Sequence, residues 1–368
     1  MINNHSPLQQ QDMTSVLLKW YRENQRDLPW RHERHPYAVW ISEIMAQQTR
    51  IAALIPFYER FMDKFPDLET LAAADVNQVL HVWAGLGYYR RAHHLHQAAQ
   101  QVMRDFGGRV PDEYEDLSRL PGIGDYTASA ILSIAFNQPF VPIDGNISRV
   151  YARLECCDTP THLTSFKKAA KSFFKAFIPL REPGDFVQAL MELGALVCLP
   201  KNPRCHTCPL SIWCRAKNDG RQEEFPVRSK APVTQGKQLT VVLVINGRRE
   251  VLLRQRQEDL LKGLWEYYHF EGWLEPEELI TSLEEFGYTV NRLLPLGRTS
   301  HAFSHLVWHM QGYACLVPQE HPVAGYAFIP ARALESMALP AALRFFTEWF
   351  LGNEWHKKEE TRSSSFTC

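Results

Sequence analysis

The sequence predicts a mostly helical N-terminal domain carrying a four-cysteine loop, joined to a smaller C-terminal α+β domain. Three observations carry that expectation. The chain has 368 residues, enough to build two separate cores. From residue 12 to about 220 the apolar residues recur at helical spacing, as in "MTSVLLKWYREN" and "NQVLHVWAGLGYYRRAHHLHQAAQQVM". Beyond residue 237, "QLTVVLVING", "REVLLRQR" and "HLVWHMQGYACLV" read as strands, with "PEELITSLEEFG" as a helix among them. The polar, proline-bearing stretch "DGRQEEFPVRSKAPVTQG" separates the two patterns. The helical domain is therefore placed at 1–221, a linker at 222–236 and the second domain at 237–352. The tail at 353–368 lacks core-forming residues and reads as disordered.

No apolar run approaches the ~18 residues of a membrane span, and the start shows no charged region followed by an apolar one. The expectation is a cytoplasmic monomer without membrane contact. A formal net charge of −1 does not announce a nucleic-acid binder, but the charge is uneven. Between Lys201 and Lys237 eight Lys and Arg face three acids, a local balance of +5. A second cluster, Lys167, Lys168, Lys171 and Lys175, shares a helical segment with Phe166, Phe173 and Phe177 and reads as a solvated face.

"PGIGDYTASAIL", residues 121–132, sets a proline and two glycines directly before a helix, with Asp125 as the expected N-cap. Glycine admits positive φ and lets another molecule approach the backbone. Bare amides feeding a helix N-terminus make a seat for an anion. The plain alternative is an ordinary connection between two helices.

Four of the eight cysteines crowd together: Cys198, Cys205, Cys208 and Cys214, spaced C-x6-C-x2-C-x5-C. In a helical protein of reducing surroundings this reads as a metal loop rather than disulfides. Zinc ribbons show two C-x2-C pairs and ferredoxins other spacings, so the spacing leaves zinc and iron open. Cys156, Cys157, Cys315 and Cys368 show no ligand spacing.

"LPGIG", "PIDG" some twenty residues on and the 6-2-5 cysteine loop resemble the helix-hairpin-helix DNA glycosylases of the endonuclease III type. With "WISEIMAQQTR", "WAGLGYYRRA" and a C-terminal domain similar to a Nudix fold, the likeness is to the adenine DNA glycosylases of the MutY type. It covers essentially the whole folded chain. The resemblance implies a [4Fe–4S] cluster on the four cysteines, and a hairpin in which Gly122 and Gly124 present amides to a DNA phosphate. It implies base excision repair of duplex DNA containing A:8-oxoguanine or A:G mispairs.

Breaking an N-glycosidic bond calls for a proton on the leaving base and a carboxylate near an oxocarbenium-like sugar. Glu43, among Trp40, Ile41, Ile44 and Met45, is the candidate acid, in surroundings that would raise its pKa. Asp144 is the second carboxylate, with Asn146 as partner, although Asp before a helix is also simply an N-cap. Tyr126 stands where lyase members of the superfamily carry a nucleophilic lysine, and a phenol cannot form a Schiff base. That implies a monofunctional enzyme. Gln48, Thr49, Leu86, Gly87 and Tyr88 match duplex-invading segments. Arg26, Trp30 and Arg31 match the entry to the base pocket, and Gln188 and Glu192 either line it or form a surface pair.

In the C-terminal domain "EEFG" at 284–287 is like the end of a Nudix hydrolase motif, but Ile280 and Thr281 stand where Arg and Glu belong. A recognition role is expected instead, with Phe303, Ser304 and His305 matching the segment that senses 8-oxoguanine. The rival readings are a bifunctional glycosylase-lyase on oxidised pyrimidines and a catalytically silent DNA-binding protein. The lysine missing at position 126 opposes the first, and the set Glu43, Tyr126 and Asp144 opposes the second.

Overall fold

The computed structural model describes residues 7–32, 34–227, 235–303, 306–318, 323–334 and 337–352. By its internal contacts the chain divides into two units, Met1–Ala74 with His94–Lys230, and Asp75–His93 with Ala231–Cys368. Residues 228–234 of the expected linker and the whole 353–368 tail lie outside the described residues. Among the described residues no helix is long and apolar enough to cross a membrane.

The first unit is helical. Its hub is the helix Pro183–Leu196, which packs on Pro7–Asn24, Asp125–Ile134 and Gly145–Glu155. Proline opens it, and apolar residues face every side, as a helix buried all round requires. Gly194 permits a close crossing, because a Cβ there would lie 2.5 Å from the Asn146 Cβ and 2.9 Å from its Cα. The helix Thr164–Lys175 buries Phe166, Ala170 and Phe174, and Tyr151 meets Phe166 edge-on with ring centroids 5.3 Å apart.

The periodic stretch from Asn77 to Met103 is two helices, Val76–Val82 and Arg90–Phe106, separated by a turn. Gly85, Gly87 and Tyr88 all take positive φ, so the helical spacing runs across a break that backbone conformation enforces.

The second unit holds a six-stranded sheet: β1 Gln235–Ile245, β2 Glu250–Gln255, β3 Trp265–Glu271, β4 Arg292–Ala302, β5 Leu306–Leu316 and β6 Tyr326–Pro330. Their order is β4-β5-β1-β3-β2-β6, with β1 and β5 parallel and the other neighbours antiparallel. The apolar run of β1 is continuous because both of its faces are covered. Leu239, Val241 and Leu243 join a core with Phe346 and Phe350 of the helix Arg344–Leu351. Val242 and Val244 join one with Leu279 and Leu283 of the helix Pro276–Glu285. That helix starts on a capping box of Glu275 and Glu278, and its Glu284 and Glu285 lie exposed at the far end.

Candidate active site

Glu43 lies on the helix Pro36–Ala46, one of whose faces packs against the helix Asp125–Ile134. Tyr126, on the first turn of the latter, donates its hydroxyl to Glu43 Oε2 at 2.7 Å. Burial pushes the Glu43 carboxyl up to about 7, and the Asp144 charge adds to that. The Tyr126 hydrogen bond and Arg31 pull the other way. Burial also holds the Tyr126 phenol well above its ordinary value, so it remains a donor. A carboxyl titrating near neutrality can give up a proton under working conditions.

Asp144 is the N-cap of the helix Gly145–Glu155, as expected, yet the cap uses only one of its oxygens. Oδ1 accepts from the Ile147 N–H at 2.6 Å, and Oδ2 accepts from Asn146 Nδ2 at 2.9 Å. Burial pushes this carboxyl up, opposed by those hydrogen bonds and by Arg149.

Arg149 escaped the sequence reading and proves central. Its guanidinium donates to Asn146 Oδ1 at 2.9 Å, the Gly194 carbonyl at 2.7 Å and the Cys198 carbonyl at 2.6 Å. A second arginine one turn on, Arg153, donates to Cys198 Sγ at 3.2 Å and to the Leu199 carbonyl at 2.7 Å. The signal for this pair was available only as two arginines four apart on the helix behind "PIDG".

Glu192 is fully buried and accepts from the Arg26 N–H, from Arg26 Nε and Nη2, and from Arg31 Nη2. Burial alone would raise its pKa, but the two guanidiniums outweigh it and hold Glu192 at about 2. It is therefore a permanent anion that fixes Arg26 and Arg31, and Gln188 is buried one turn away. The alternative of a surface pair is excluded. Trp30 meets Tyr58 edge-on with centroids 5.0 Å apart.

At the hairpin, Gly122 takes φ +77°, and a Cβ there would press to 2.8 Å from the His94 Cβ. Gly124 has nothing within 4 Å of a Cβ position, so its backbone faces open space. Asp125 is not the N-cap: Gly124 holds that position without any side-chain cap. The carboxylate turns aside to Tyr114 and Lys171, which leaves the first amides of the helix uncapped by any side chain.

Gln48 and Tyr88 are exposed and sit at φ 60° and 50°, left-handed conformations that cost roughly 1–3 kcal/mol in a residue with a side chain. Thr49 is partly buried and Leu86 is buried, so Gln48 and Tyr88 are the members of this group that project. The Trp83 indole and Arg91 both donate to the Gly87 carbonyl at 3.1 Å, and Arg91 also lies over the Tyr88 ring.

Phe303 closes the β4–β5 hairpin. Its N–H donates to the Leu306 carbonyl at 2.7 Å, and its ring meets His301 and Trp308 edge-on. Ser304 and His305 lie outside the described residues.

Among the described residues, no three His, Cys, Asp or Glu side chains converge on a point suited to a single metal ion. The four loop cysteines are nonetheless close enough to feel one another's charge. Burial pushes Cys208 up to about 12 and Cys214 up to about 11, so their thiols stay protonated unless an electrophilic centre compensates. A four-iron cluster sets its sulfurs farther apart than one ion does, and four thiols on one loop are its donor set.

Comparison with known proteins follows the same division. Residues 41–175 match the model of the HhH-GPD superfamily base excision DNA repair protein, and residues 240–348 that of a NUDIX domain. The chain is 34% identical over 367 residues to the adenine DNA glycosylase of Homo sapiens, across 83% of this chain and 67% of the human protein. It is 31% identical over 307 residues to the adenine DNA glycosylase of Buchnera aphidicola subsp. Acyrthosiphon pisum (strain APS), across 83% and 87% of the two chains. A thermostable thymine-DNA glycosylase structure superposes with a TM-score of 0.51 at 28% identity, covering 57% of this chain and 97% of that one. A non-covalent endonuclease III–DNA complex shares the fold, with a TM-score of 0.50 at 22% identity, covering 60% and 100%.

Proposed function

Because the chain belongs to the adenine DNA glycosylase family, we propose that it excises adenine paired with 8-oxoguanine or guanine, without cutting the strand. The enzyme is an adenine DNA glycosylase of base excision repair, a hydrolase of N-glycosyl bonds that acts on DNA. The observation that supports acid-catalysed excision without strand cutting is the Tyr126–Glu43 hydrogen bond, beside a carboxyl raised to about 7.

Adenine must leave the stack before its bond to the sugar can be attacked, at a cost of a few kcal/mol. Gln48 in the first unit and Tyr88 in the second, each strained and exposed, are the side chains suited to invade the duplex, while Arg26, Trp30 and Arg31 receive the base. Glu43 gives its proton to the base, turning a poor leaving group into a neutral one. Tyr126 stabilises the carboxylate that results, which makes the transfer easier. Asp144 supplies the negative charge that the oxocarbenium-like sugar requires, with Asn146 and the Ile147 N–H fixing its orientation. Tyr126 offers no amine, so water adds to the sugar carbon, passing its proton to Asp144, and the reaction stops at an abasic site.

Cys198, Cys205, Cys208 and Cys214 would hold a [4Fe–4S] cluster, which when bound supplies a cross-link of the loop and a redox-capable centre. Arg149 and Arg153 tie the first of these cysteines to the helix that Asp144 caps. Phe303 is anchored on His301 and Trp308, and with Ser304 and His305, which follow it in the sequence, it would read the base opposite adenine. The exposed Glu284 and Glu285, lacking the Arg and Glu that precede them in a Nudix hydrolase, leave this domain for recognition.

Single-turnover excision on duplexes carrying A:8-oxoguanine, A:G and A:C tests the reading. Strand breaks should appear only after hot alkali, with A:8-oxoguanine processed fastest. Breaks without alkali would overturn the monofunctional assignment, and equal rates on all three would overturn the specificity.

A further inference from the structure

The lysine cluster on the helix Thr164–Lys175 is not used by the chemistry described so far. Lys167, Lys168, Lys171 and Lys175 fall within one face of that helix, offset from the buried Phe166, Ala170 and Phe174. Lys167, Lys168 and Lys175 are exposed, and Lys171 is partly so. The cluster is joined to the hairpin by a specific contact: Lys171 Nζ reaches Asp125 Oδ1 at 2.5 Å, while Tyr114 donates to the same oxygen at 2.8 Å. Asp125 is the first residue of the helix that follows Gly124. A carboxylate at that position would repel a phosphate approaching the uncapped amides, and Lys171 is the cation placed against it. Burial would raise the Asp125 pKa, but the bonds from Lys171 and Tyr114 and the charges of Lys171 and Lys167 hold it down.

We propose that Lys167, Lys168, Lys171 and Lys175 form a second contact surface for DNA backbone phosphates, continuous with the Gly122–Gly124 seat, in which Lys171 also masks Asp125 from the phosphate held there. The inference rests on the reading of that hairpin as a phosphate seat. It explains how a chain of net charge −1 supports DNA binding: the positive charge is gathered where the backbone runs.

Salt dependence separates such contacts from a merely solvated face. Each phosphate contact contributes about 0.9 to the slope of log K against log salt on B-DNA. Anisotropy titrations of an unmispaired duplex between about 50 and 200 mM salt are the measurement. In the triple variant Lys167→Ala, Lys168→Ala and Lys175→Ala the slope should fall by roughly two to three, while the three Lys→Arg changes should keep it. Lys171→Gln should weaken binding, and adding Asp125→Asn should restore part of the loss by removing the unmasked charge. A triple variant, folded by circular dichroism, whose slope stays within about half a unit of the unaltered chain overturns the surface. Failure of Asp125→Asn to restore binding overturns the masking role. Adenine excision by the unaltered chain in the same buffers decides the glycosylase reading separately.

Discussion

Replacing Tyr126 with Phe keeps the ring in the helix–helix contact and removes one hydroxyl, the donor to Glu43 Oε2 at 2.7 Å. That bond favours the ionised carboxylate, against the larger effect of burial, which brings Glu43 to about 7. A hydrogen bond to a charged group contributes about 1.5–3 kcal/mol, and one pKa unit corresponds to about 1.4 kcal/mol. Losing it should therefore raise the Glu43 pKa by about one to two units. With a pKa near 7, roughly a tenth of Glu43 is protonated at about pH 8 against nine tenths at about pH 6. A rise of about one unit leaves about half protonated at the higher pH, so the rate falls about twofold between the two instead of about tenfold. The assay is single-turnover excision of adenine opposite 8-oxoguanine across a pH series, read as the position of the alkaline limb. The plateau rate should also drop, because the carboxylate left after proton transfer loses its donor. An alkaline limb that stays in place or moves to lower pH would refute the assignment of Glu43 as the acid that Tyr126 tunes.

Glu43→Gln should abolish excision with duplex affinity retained; excision within threefold of the unaltered chain would remove Glu43 from the mechanism. The same variant should be more stable to urea at about pH 8, by on the order of 3 kcal/mol, because the pKa is raised from 4.5 to about 7 and ionisation of the buried group opposes folding. That gain should shrink as the pH falls through 7 toward 4.5, where Glu43 is protonated in the fold; a gain independent of pH would contradict the raised value. Arg149→Met leaves Asn146 Oδ1 and the Gly194 and Cys198 carbonyls without their donor, at about 1–3 kcal/mol for each group left unsatisfied. Excision should slow and hydrogen exchange in 198–214 should quicken, whereas a change in only one of the two would break the proposed link. Cys208→Ser should lower iron content and DNA affinity together, and an unaltered chain purified with zinc instead of iron would overturn the cluster. Phe303→Ala removes the ring packed on His301 and Trp308, and the ratio of excision from A:8-oxoguanine to that from A:G should fall; an unchanged ratio would place recognition elsewhere.

Much of the architecture was legible without coordinates, because it depends on spacing along the chain. The change from helical to strand pattern near residue 237 marks two kinds of core. The continuous apolar run of β1 reads as a strand, and the two cores that cover its two faces became visible only in the structure. Gly122 declares its turn because few other residues take φ +77° readily. The break between Val82 and Arg90 was not legible, since the helical period persists across it while three residues leave helical φ. Asp125 looked like a cap because its type suits one; its partner Lys171, 46 residues away, draws the carboxylate aside.

Glu43, Tyr126, Asp144, Arg26, Arg31 and Glu192 were candidates from the sequence alone, whereas Arg149 and Arg153 and the electrostatic state of every one of them belong to the tertiary structure. Glu43 and Glu192 are both glutamates on apolar helices, and nothing local tells them apart. Burial lifts one to about 7 against the pull of Tyr126, while Arg26 and Arg31, 166 and 161 positions distant, hold the other at about 2. Arg149 was an unremarked helix residue until Gly194 and Cys198 were brought against it from 45 and 49 positions away. A side chain's type is inherited from the sequence, whereas its protonation is decided by which charges and dipoles folding sets beside it and by how much water folding removes.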